Sequence, residues 1–548
     1  MKIVIIGGVA GGATAAARIR RLSEDAQITV LERGEYISFA NCGLPYYIGG
    51  EIADEDDLKL QTPESFGRRY NVDVHVLSEA TEILSAERLV KVKNLADNSE
   101  YTLGYDKLLI ATGAQPAAIG AGEEKSARVF TLRTIPDSAR IKAHAKPGAS
   151  ACVIGGGFVG LETAENLMNA GVDVTLLEAG AHILSGLDAE VAAEVETYLK
   201  SRGLKLFTRT AVSAISDVSG GVEVRYGTQA KRFDFVVLAA GVRPESGLAK
   251  RAGLKIGERG GIWTDSRMRT SDESIYAVGD AVETVHTVTR QHMLIPLAGP
   301  ANRQARVAAN NMCGADDSYD STQGSAIIKL FDMTVAFTGA NERAAAAAGF
   351  DCDKVYTSSA SHATYYPGAK SLNIKVVFER GTGRILGAQL TGFGGVDKRA
   401  DVLAVAVRLG LTAKQLTQLE LCYAPPYSSA KDPVNIAGYA IENIVEGRVK
   451  NFHFDRLDEL KKRGGVTLLD VRTRGEHRRG AIEGFINIPL DELRQRAPAE
   501  LDKSLPVYIH CLSGMRSYLA CRILTAQGFD CYNLSGGYRL YSAAHSAR

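Results

Sequence analysis

Two of the eight cysteines stand in surroundings suited to sulfur chemistry. Cys42 lies in Ser38-Phe-Ala-Asn41-Cys42-Gly43-Leu-Pro45-Tyr, and the residue five positions on is Tyr47 rather than a second cysteine. Cys511 follows the apolar run Val507-Tyr-Ile-His510 and precedes Leu-Ser-Gly514-Met-Arg516-Ser517. That order reads as a strand ending on a cysteine, a loop of backbone N–H groups, and a helix opening with Arg516 directed inward. Such a site stabilises a thiolate or a persulfide anion. The remaining cysteines, Cys152, Cys313, Cys352, Cys422, Cys521 and Cys531, form no C-x-x-C pair and are expected as buried small apolar residues.

A thiol of this kind needs a scaffold, and residues 2–32 describe one. The strand run Lys2-Ile-Val-Ile-Ile leads into Gly7-Gly8-Val9-Ala10-Gly11-Gly12, then an Ala-rich helix to about Leu22, then Ile28-Thr-Val-Leu-Glu32. In this βαβ layout the helix start and its N–H groups hold a pyrophosphate, and the carboxylate ending the second strand meets a ribose. Contacts to a dinucleotide are expected from those six loop residues, from Glu32 and from Arg33, although Val9 stands where the second glycine of G-x-G-x-x-G belongs. The layout recurs at Ala151-Cys-Val-Ile-Gly155-Gly156-Gly157-Phe158-Val159-Gly160, with all three glycines in place, and ends at Glu178. Two such folds suggest two dinucleotides. Glu178 would repel a 2′-phosphate and no Arg or Lys follows before Lys200, which favours NADH over NADPH.

Composition narrows the class. Lys+Arg minus Asp+Glu is 64 − 63 = +1, so no global field draws the chain to nucleic acid or to an anionic membrane. With 45% hydrophobic and 23% charged residues it reads as an ordinary globular protein, and at about 150 residues per domain its 548 residues call for several domains. No apolar run approaches the ~20 residues of a membrane span. Ile3-Val4-Ile5-Ile6 begins almost at the initiator Met and leaves no room for a signal peptide, so a cytoplasmic protein is expected. No metal site is expected.

Further segments carry a resemblance. Leu108-Leu-Ile-Ala111-Thr112-Gly113-Ala, Ile275-Tyr-Ala-Val-Gly279-Asp280-Ala and Val237-Leu-Ala-Ala-Gly241-Val-Arg-Pro244 resemble the strand-end turns and chain crossover of two-dinucleotide flavoprotein disulfide reductases. The resemblance implies FAD, with Ala111, Thr112, Gly113, Gly279 and Ala298 near it and Asp280 on its ribityl chain. The Cys42 stretch closely resembles the single-cysteine branch of that family, which contains coenzyme A disulfide reductases, NADH oxidases, NADH peroxidases and persulfide reductases. There the cysteine lies beside the flavin and cycles through a mixed disulfide or a sulfenic acid. Resemblance further implies Ser38, Asn41 and Asn302 near the substrate, and a homodimer with shared active sites. Where glutathione-type enzymes carry a His-Pro pair, this chain has Glu420-Leu-Cys-Tyr423-Ala-Pro-Pro-Tyr427-Ser-Ser-Ala-Lys431. Similar enzymes place two tyrosines of the partner subunit near the redox cysteine, by motif Tyr365 and Tyr423; structural tyrosines at a dimer interface are the competing reading. Arg18, Arg21, Arg68, Arg69 and Lys431, with Tyr427, are candidates to hold coenzyme A as substrate or bound cofactor, against the alternative of solvated helix faces.

The chain beyond Lys450 opens a fresh α/β pattern. Val466-Thr-Leu-Leu-Asp470-Val-Arg472, the stretch His477–Pro489 and the Cys511 loop together closely resemble a rhodanese domain, in which Cys511 would carry sulfane sulfur. The six-residue span from Cys511 to Arg516 is the shorter loop of the sulfurtransferases and argues against a cysteine phosphatase. The expected fold class is α/β: two Rossmann-like dinucleotide-binding domains, an α+β dimerisation domain and a C-terminal α/β rhodanese domain. Expected boundaries are an FAD-binding domain at 1–113 and 245–324, an NADH-binding domain at 114–244, the dimerisation domain at 325–450 and the rhodanese domain at 455–548. The expected function is electron flow from NADH through flavin to Cys42, reducing a coenzyme A persulfide, a polysulfide or coenzyme A disulfide, with Cys511 handling sulfane sulfur. The alternatives are an NADH oxidase or peroxidase using a Cys42 sulfenic acid, and a redox-responsive sulfur carrier.

Overall fold

The computed structural model describes residues 1–546. The chain forms two compact units, Met1–Ile183 with Leu204–Gly324, and Leu184–Gly203 with Ser325–Arg548. In the first unit, five parallel strands run in the order Asp73–His75, Gln27–Leu31, Lys2–Ile6, Lys107–Ile110 and Ile275–Ala277. Ile3 to Ile6 are all buried, as expected of a central parallel strand covered on both faces. Helices Ala10–Leu22 and Ala298–Met312 pack against one another, and the antiparallel meander Ser78–Leu84, Leu89–Asn94 and Glu100–Gly104 adds Ile83, Val90 and Val92 to the same core. Gly12 lets the first helix reach its strand, since a Cβ there would lie 1.7 Å from the Gly7 carbonyl oxygen.

A second parallel sheet has the order Lys205–Phe207, Asp173–Leu177, Ser150–Ile154, Phe235–Leu238 and Val129–Thr131. It repeats the same device, with Gly160 in place of Gly12 and a Cβ approach of 1.9 Å to the Gly155 carbonyl oxygen. The chain passes into this region along Ala114–Pro116 and leaves it along Val242–Pro244, and these two short strands pair antiparallel.

The second unit is built on a five-stranded antiparallel sheet ordered Ala326–Leu330, Met333–Gly339, Ile385–Gly392, Ser371–Glu379 and Cys352–Ala360. Ser371–Glu379 and Ile385–Gly392 form an antiparallel hairpin at its centre. Helix Ala189–Ser201 clusters with this unit although its sequence neighbours belong to the first. Its carboxylates explain why. Lys375, 1% exposed, directs its ammonium to Asp188 at 2.6 Å and also to Glu190 and Glu342. Glu194 accepts from Asn373 Nδ2 at 2.7 Å and Thr391 Oγ1 at 3.0 Å, and pairs with Arg539.

The C-terminal part of this unit is a five-stranded parallel sheet ordered Lys450–Phe452, Cys531–Leu534, Val507–His510, Thr467–Asp470 and Ile486–Asn487. Val507–His510 is its central strand, so Cys511 stands at a carboxyl edge, the usual place for a site in an open α/β sheet. Among the described residues no helix is long and apolar enough to cross a membrane. The expectation of buried structural cysteines needs correction. Cys152, Cys521 and Cys531 are buried, but Cys313 and Cys352 are partly exposed and Cys422 is exposed. Cys422 lies in the irregular segment between helices Ala413–Thr417 and Pro433–Val445, where the backbone runs over the surface.

Candidate functional site

Both glycine-rich loops end as helix starts, and each holds an acid in place. Glu32 accepts from the Gly8 N–H at 2.8 Å and the Gly34 N–H at 2.7 Å; Glu178 accepts from Gly156 at 2.6 Å and Gly180 at 2.5 Å. The carboxylates are thereby fixed beside the loops, where a ribose would meet them. At Gly157 a Cβ would have nothing within 4 Å. Packing therefore does not forbid a side chain at that loop position, and its counterpart Val9 carries one at φ −101° without left-handed strain. Phe158 and Val159 open helix Phe158–Asn169. Arg33 lies at the surface, paired with Glu245 at 3.4 Å.

Asp280 sits on the three-residue turn Gly279–Ala281, which is anchored by the bond from the Gly279 N–H to Gln304 Oε1 at 2.8 Å. Burial pushes the Asp280 carboxyl up, with Arg133 opposing. Arg133, a residue the sequence did not single out, packs under the Ala111–Gly113 turn and donates Nη2 to the Thr112 carbonyl at 3.3 Å. Its Nη1 is buried with no hydrogen-bond partner among the described residues. A buried guanidinium donor left open between the charges of Glu245, Glu32 and Asp280 fits a phosphate-bearing ligand in this cleft. The donor set and the two loops thus fit FAD and a nicotinamide dinucleotide.

Cys42 lies on the turn Asn41–Gly43, directly before helix Leu44–Gly49. The turn is stitched to the first glycine-rich loop by Ser38, which adopts φ +43° and donates its N–H to the Gly8 carbonyl at 2.9 Å. A left-handed conformation at a non-glycine residue is uncommon and marks a segment fixed by its surroundings. Cys42 is exposed as a residue, yet its thiol is enclosed enough for burial to push it up, with Glu162 and then Asp280 adding to the shift. Glu162 itself is pushed up to about 7 by burial. Tyr46 donates to Glu162 Oε1 at 3.3 Å, and helix Leu44–Gly49 packs on helix Phe158–Asn169. Asn302 is exposed near the start of helix Ala298–Met312, its amide oriented by the 2.6 Å bond from Thr14 Oγ1 to its Oδ1.

In the second unit, Tyr365 and Tyr423 meet hydroxyl to hydroxyl at 2.9 Å. Both phenols are exposed, as is Tyr427, and the bond to Tyr423 pushes Tyr365 above its ordinary value. The loops that present them share one anchor. Arg399, 1% exposed, donates to Asp432 Oδ2 and Ser428 Oγ at 2.9 Å, to the Ser361 carbonyl at 3.1 Å and to the Tyr427 carbonyl at 3.4 Å. Nothing in the sequence distinguishes Arg399 from a solvated helical charge.

Cys511 is 1% exposed and its Sγ accepts from the Gly514 N–H at 3.1 Å and from Ser517 Oγ at 3.4 Å. The loop's carbonyls are drawn outward: Cys511 and Leu512 oxygens accept from the Tyr538 and Arg539 N–H groups at 2.8 and 2.9 Å. With those oxygens bound elsewhere, the donors that meet the sulfur are one backbone N–H, that of Gly514, and the Ser517 hydroxyl. Arg516 is not simply directed inward. Its guanidinium forms a bidentate pair with Glu476 at 2.7 Å and 2.7 Å while still interacting with Cys511.

The proposed cation set divides. Arg18 is partly buried and donates Nε to Asn310 Oδ1 at 2.8 Å, whereas Arg21, Arg68, Arg69 and Lys431 are exposed. Arg20, between the two helix-one candidates, is the structural member of the run: it is 6% exposed and bonds the Tyr70, Ala26 and Asn71 carbonyls at 2.8, 2.8 and 2.6 Å.

With this geometry in hand, the relationships are direct. Residues 1–305 match the pyridine nucleotide-disulphide oxidoreductases, residues 325–433 the dimerisation domain of those enzymes, and residues 453–544 the rhodanese-like domain. The chain belongs to the pyridine nucleotide-disulphide oxidoreductase family. It is a flavin-dependent, NAD(H)-dependent oxidoreductase with a C-terminal rhodanese-like domain. A coenzyme A disulfide reductase from Staphylococcus haemolyticus is 32% identical over 446 residues, covering 81% of this chain and all of the relative. Two solved structures extend through the rhodanese-like domain. Reduced Bacillus anthracis CoADR-RHD is 46% identical with a TM-score of 0.97, covering 100% of this chain and 98% of its own. A NAD-dependent persulfide reductase from A. fulgidus is 40% identical with a TM-score of 0.93, covering 99% and 100%.

Proposed function

We propose that this protein is an NADH-dependent reductase of sulfane sulfur carried on a thiol, with coenzyme A persulfide as its preferred substrate and coenzyme A disulfide as a second one. One observation carries the reading: a single chain joins a lone, accessible cysteine, on a turn tied to the first glycine-rich loop through Ser38, to a second cysteine whose sulfur accepts from the Gly514 N–H and the Ser517 hydroxyl. Relatives named for coenzyme A disulfide and for persulfide support it from both sides.

In this reading FAD is held by the loop from Gly7 to Gly12, Glu32, the Ala111–Gly113 turn, Arg133 and Asp280, and NADH by the loop from Gly155 to Gly160 and Glu178. Bound together they supply two electrons per turnover. The Cys42 thiolate attacks the outer sulfur of R–S–S⁻, giving Cys42–S–S⁻ and R–S⁻. Two electrons and one proton then return Cys42 to its thiolate and release HS⁻. Glu162 holds or yields a proton beside this thiol, and its protonated form removes a negative charge that disfavours the thiolate. The protein acts as a homodimer in which Tyr365 and Tyr423 face the redox cysteine of the opposite subunit. Their hydroxyls serve as hydrogen-bond donors to the departing thiolate. Ser38, Asn41 and Asn302 border the substrate sulfur, while Arg18, Arg21, Arg68, Arg69 and Lys431 offer charge to the coenzyme A phosphates. Cys511 takes and passes on sulfane sulfur.

The test is anaerobic release of sulfide per NADH consumed with coenzyme A persulfide, inorganic polysulfide and coenzyme A disulfide. Fast turnover with the persulfide is expected; activity confined to oxygen or peroxide would replace this reading with that of an NADH oxidase or peroxidase.

A further inference from the structure

The Cys511 site contains a cation that is already neutralised. Both terminal nitrogens of Arg516 are engaged by Glu476. That carboxylate is also fixed from behind by the Thr473 N–H and Oγ, each at 2.9 Å, in the capping box of helix Arg474–Arg478. These bonds, led by Arg516, hold the Glu476 carboxyl down to about 2, so the pair stays charged across the working pH range. The neighbouring charges cancel in the same way. Asp470 and Arg472 bind each other at 2.8 Å with 0% and 2% side-chain exposure, and His477 Nδ1 rests on Asp470 at 2.8 Å. His510 is buried and held neutral. The mouth of the loop is apolar instead, with Leu512, Met515 and Leu519 exposed by 43%, 54% and 44%. Met515 and Leu519 stand one turn apart on helix Met515–Ala526 and so share a face.

A dianion such as thiosulfate has to leave water for a site whose net charge is zero before the thiolate is counted, and negative once it is. An organic persulfide brings one charge, which the Gly514 N–H and the Ser517 hydroxyl can meet, and an R group that suits the apolar rim. We propose that Glu476 is a specificity-determining residue: by holding the Arg516 fork it makes Cys511 accept sulfane sulfur from an organic persulfide and exclude thiosulfate. This rests on the reading that Cys511 handles sulfane sulfur. In the transfer the Cys511 thiolate bonds to the outer sulfur of R–S–S⁻, the R–S to S bond breaks, and its electron pair leaves with R–S⁻. The product is Cys511–S–S⁻, with no net oxidation and no external co-reactant.

The experiment uses the full-length protein without NADH, offered either coenzyme A persulfide or thiosulfate, and follows the gain of one sulfur atom on the Cys511 peptide by mass spectrometry. The wild type should load at least about tenfold faster from the persulfide. Glu476→Gln keeps the capping box, for which Gln serves as well as Glu. It should raise thiosulfate loading by about tenfold while persulfide loading changes by less than about threefold. The same variant should move the pH midpoint of Cys511 alkylation down, because the released guanidinium favours the thiolate, and Glu476→Asp should restore the wild-type preference. Equal loading of the wild type from both donors overturns the proposal, and this comparison needs no variant to fold. An unchanged thiosulfate rate in folded Glu476→Gln overturns it too. No loading from either donor overturns the sulfane-sulfur reading together with this one.

Discussion

Cys42 sits on a short turn where burial and two nearby acids push its thiol up, whereas Cys511 is 1% exposed and receives hydrogen bonds from Gly514 and Ser517. The chain therefore builds a finished anion site around the second sulfur and an acid-flanked one around the first. Accessibility and activation are separate properties here. The exposed thiol is pushed up by its burial and its acids, and its reactivity depends on the protonation of Glu162 and on the groups the cleft binds.

The comparison breaks most sharply at the sulfurs themselves. Cys42→Ser should abolish NADH consumption with every sulfur substrate while leaving Cys511 able to load sulfur. Cys511→Ser should retain coenzyme A disulfide reduction and lose part of the sulfide release from persulfides, and stopped-flow NADH oxidation with sulfide detection reads both. Next in size is Arg399→Met, which strands the buried Asp432 carboxylate. A loss of about 3–5 kcal/mol in stability is expected from removing one member of a buried pair, measurable by denaturant unfolding. Disulfide reduction should fall with it as the Tyr365 and Tyr423 loops lose their common anchor.

A smaller effect distinguishes the two thiols by pH. Glu162 is raised to about 7 from 4.5, so below that value it is neutral, and as pH rises through it the new charge opposes the Cys42 thiolate. Glu162→Gln should therefore shift the Cys42 alkylation midpoint down, with the gain in rate present above pH 7 and absent well below it, and should leave Cys511 unaffected. The smallest is Ser517→Ala, which removes one donor to Cys511. At about 0.5–1.5 kcal/mol per hydrogen bond, the Cys511 alkylation midpoint should rise by up to about one pH unit.

Sequence exposes the parts of these sites whose partners lie nearby in the chain. The two glycine-rich loops, Cys42 without a companion thiol, and Cys511 with its Gly514 and Arg516 are legible because each chemistry is completed within one strand, turn and helix. Arg133, Gln304 and Arg399 are not, because the Thr112 carbonyl, the Gly279 N–H and the Asp432 carboxylate that give them meaning arrive from other segments. The departure at Val9 meets no backbone strain, since Val9 holds φ −101°, outside the left-handed region. The allegiance of Leu184–Gly203 is likewise hidden, since a helix cannot advertise that its acids answer Lys375 and Arg539.

The paired strands Ala114–Pro116 and Val242–Pro244 bring the two ends of everything between them side by side. A segment whose ends adjoin can be exchanged between related enzymes as a cassette, because the host chain needs to be cut and rejoined at one place only. The cassette here is not free of obligations. Any replacement must bring its own Asp188, Glu190 and Glu194, or Arg539 loses its carboxylate and Lys375 keeps Glu342 alone of its three. Inheritance of the nucleotide segment and of the C-terminal half is thus coupled by charge, and chimaeras that ignore those three acids should fold poorly even with every catalytic residue intact.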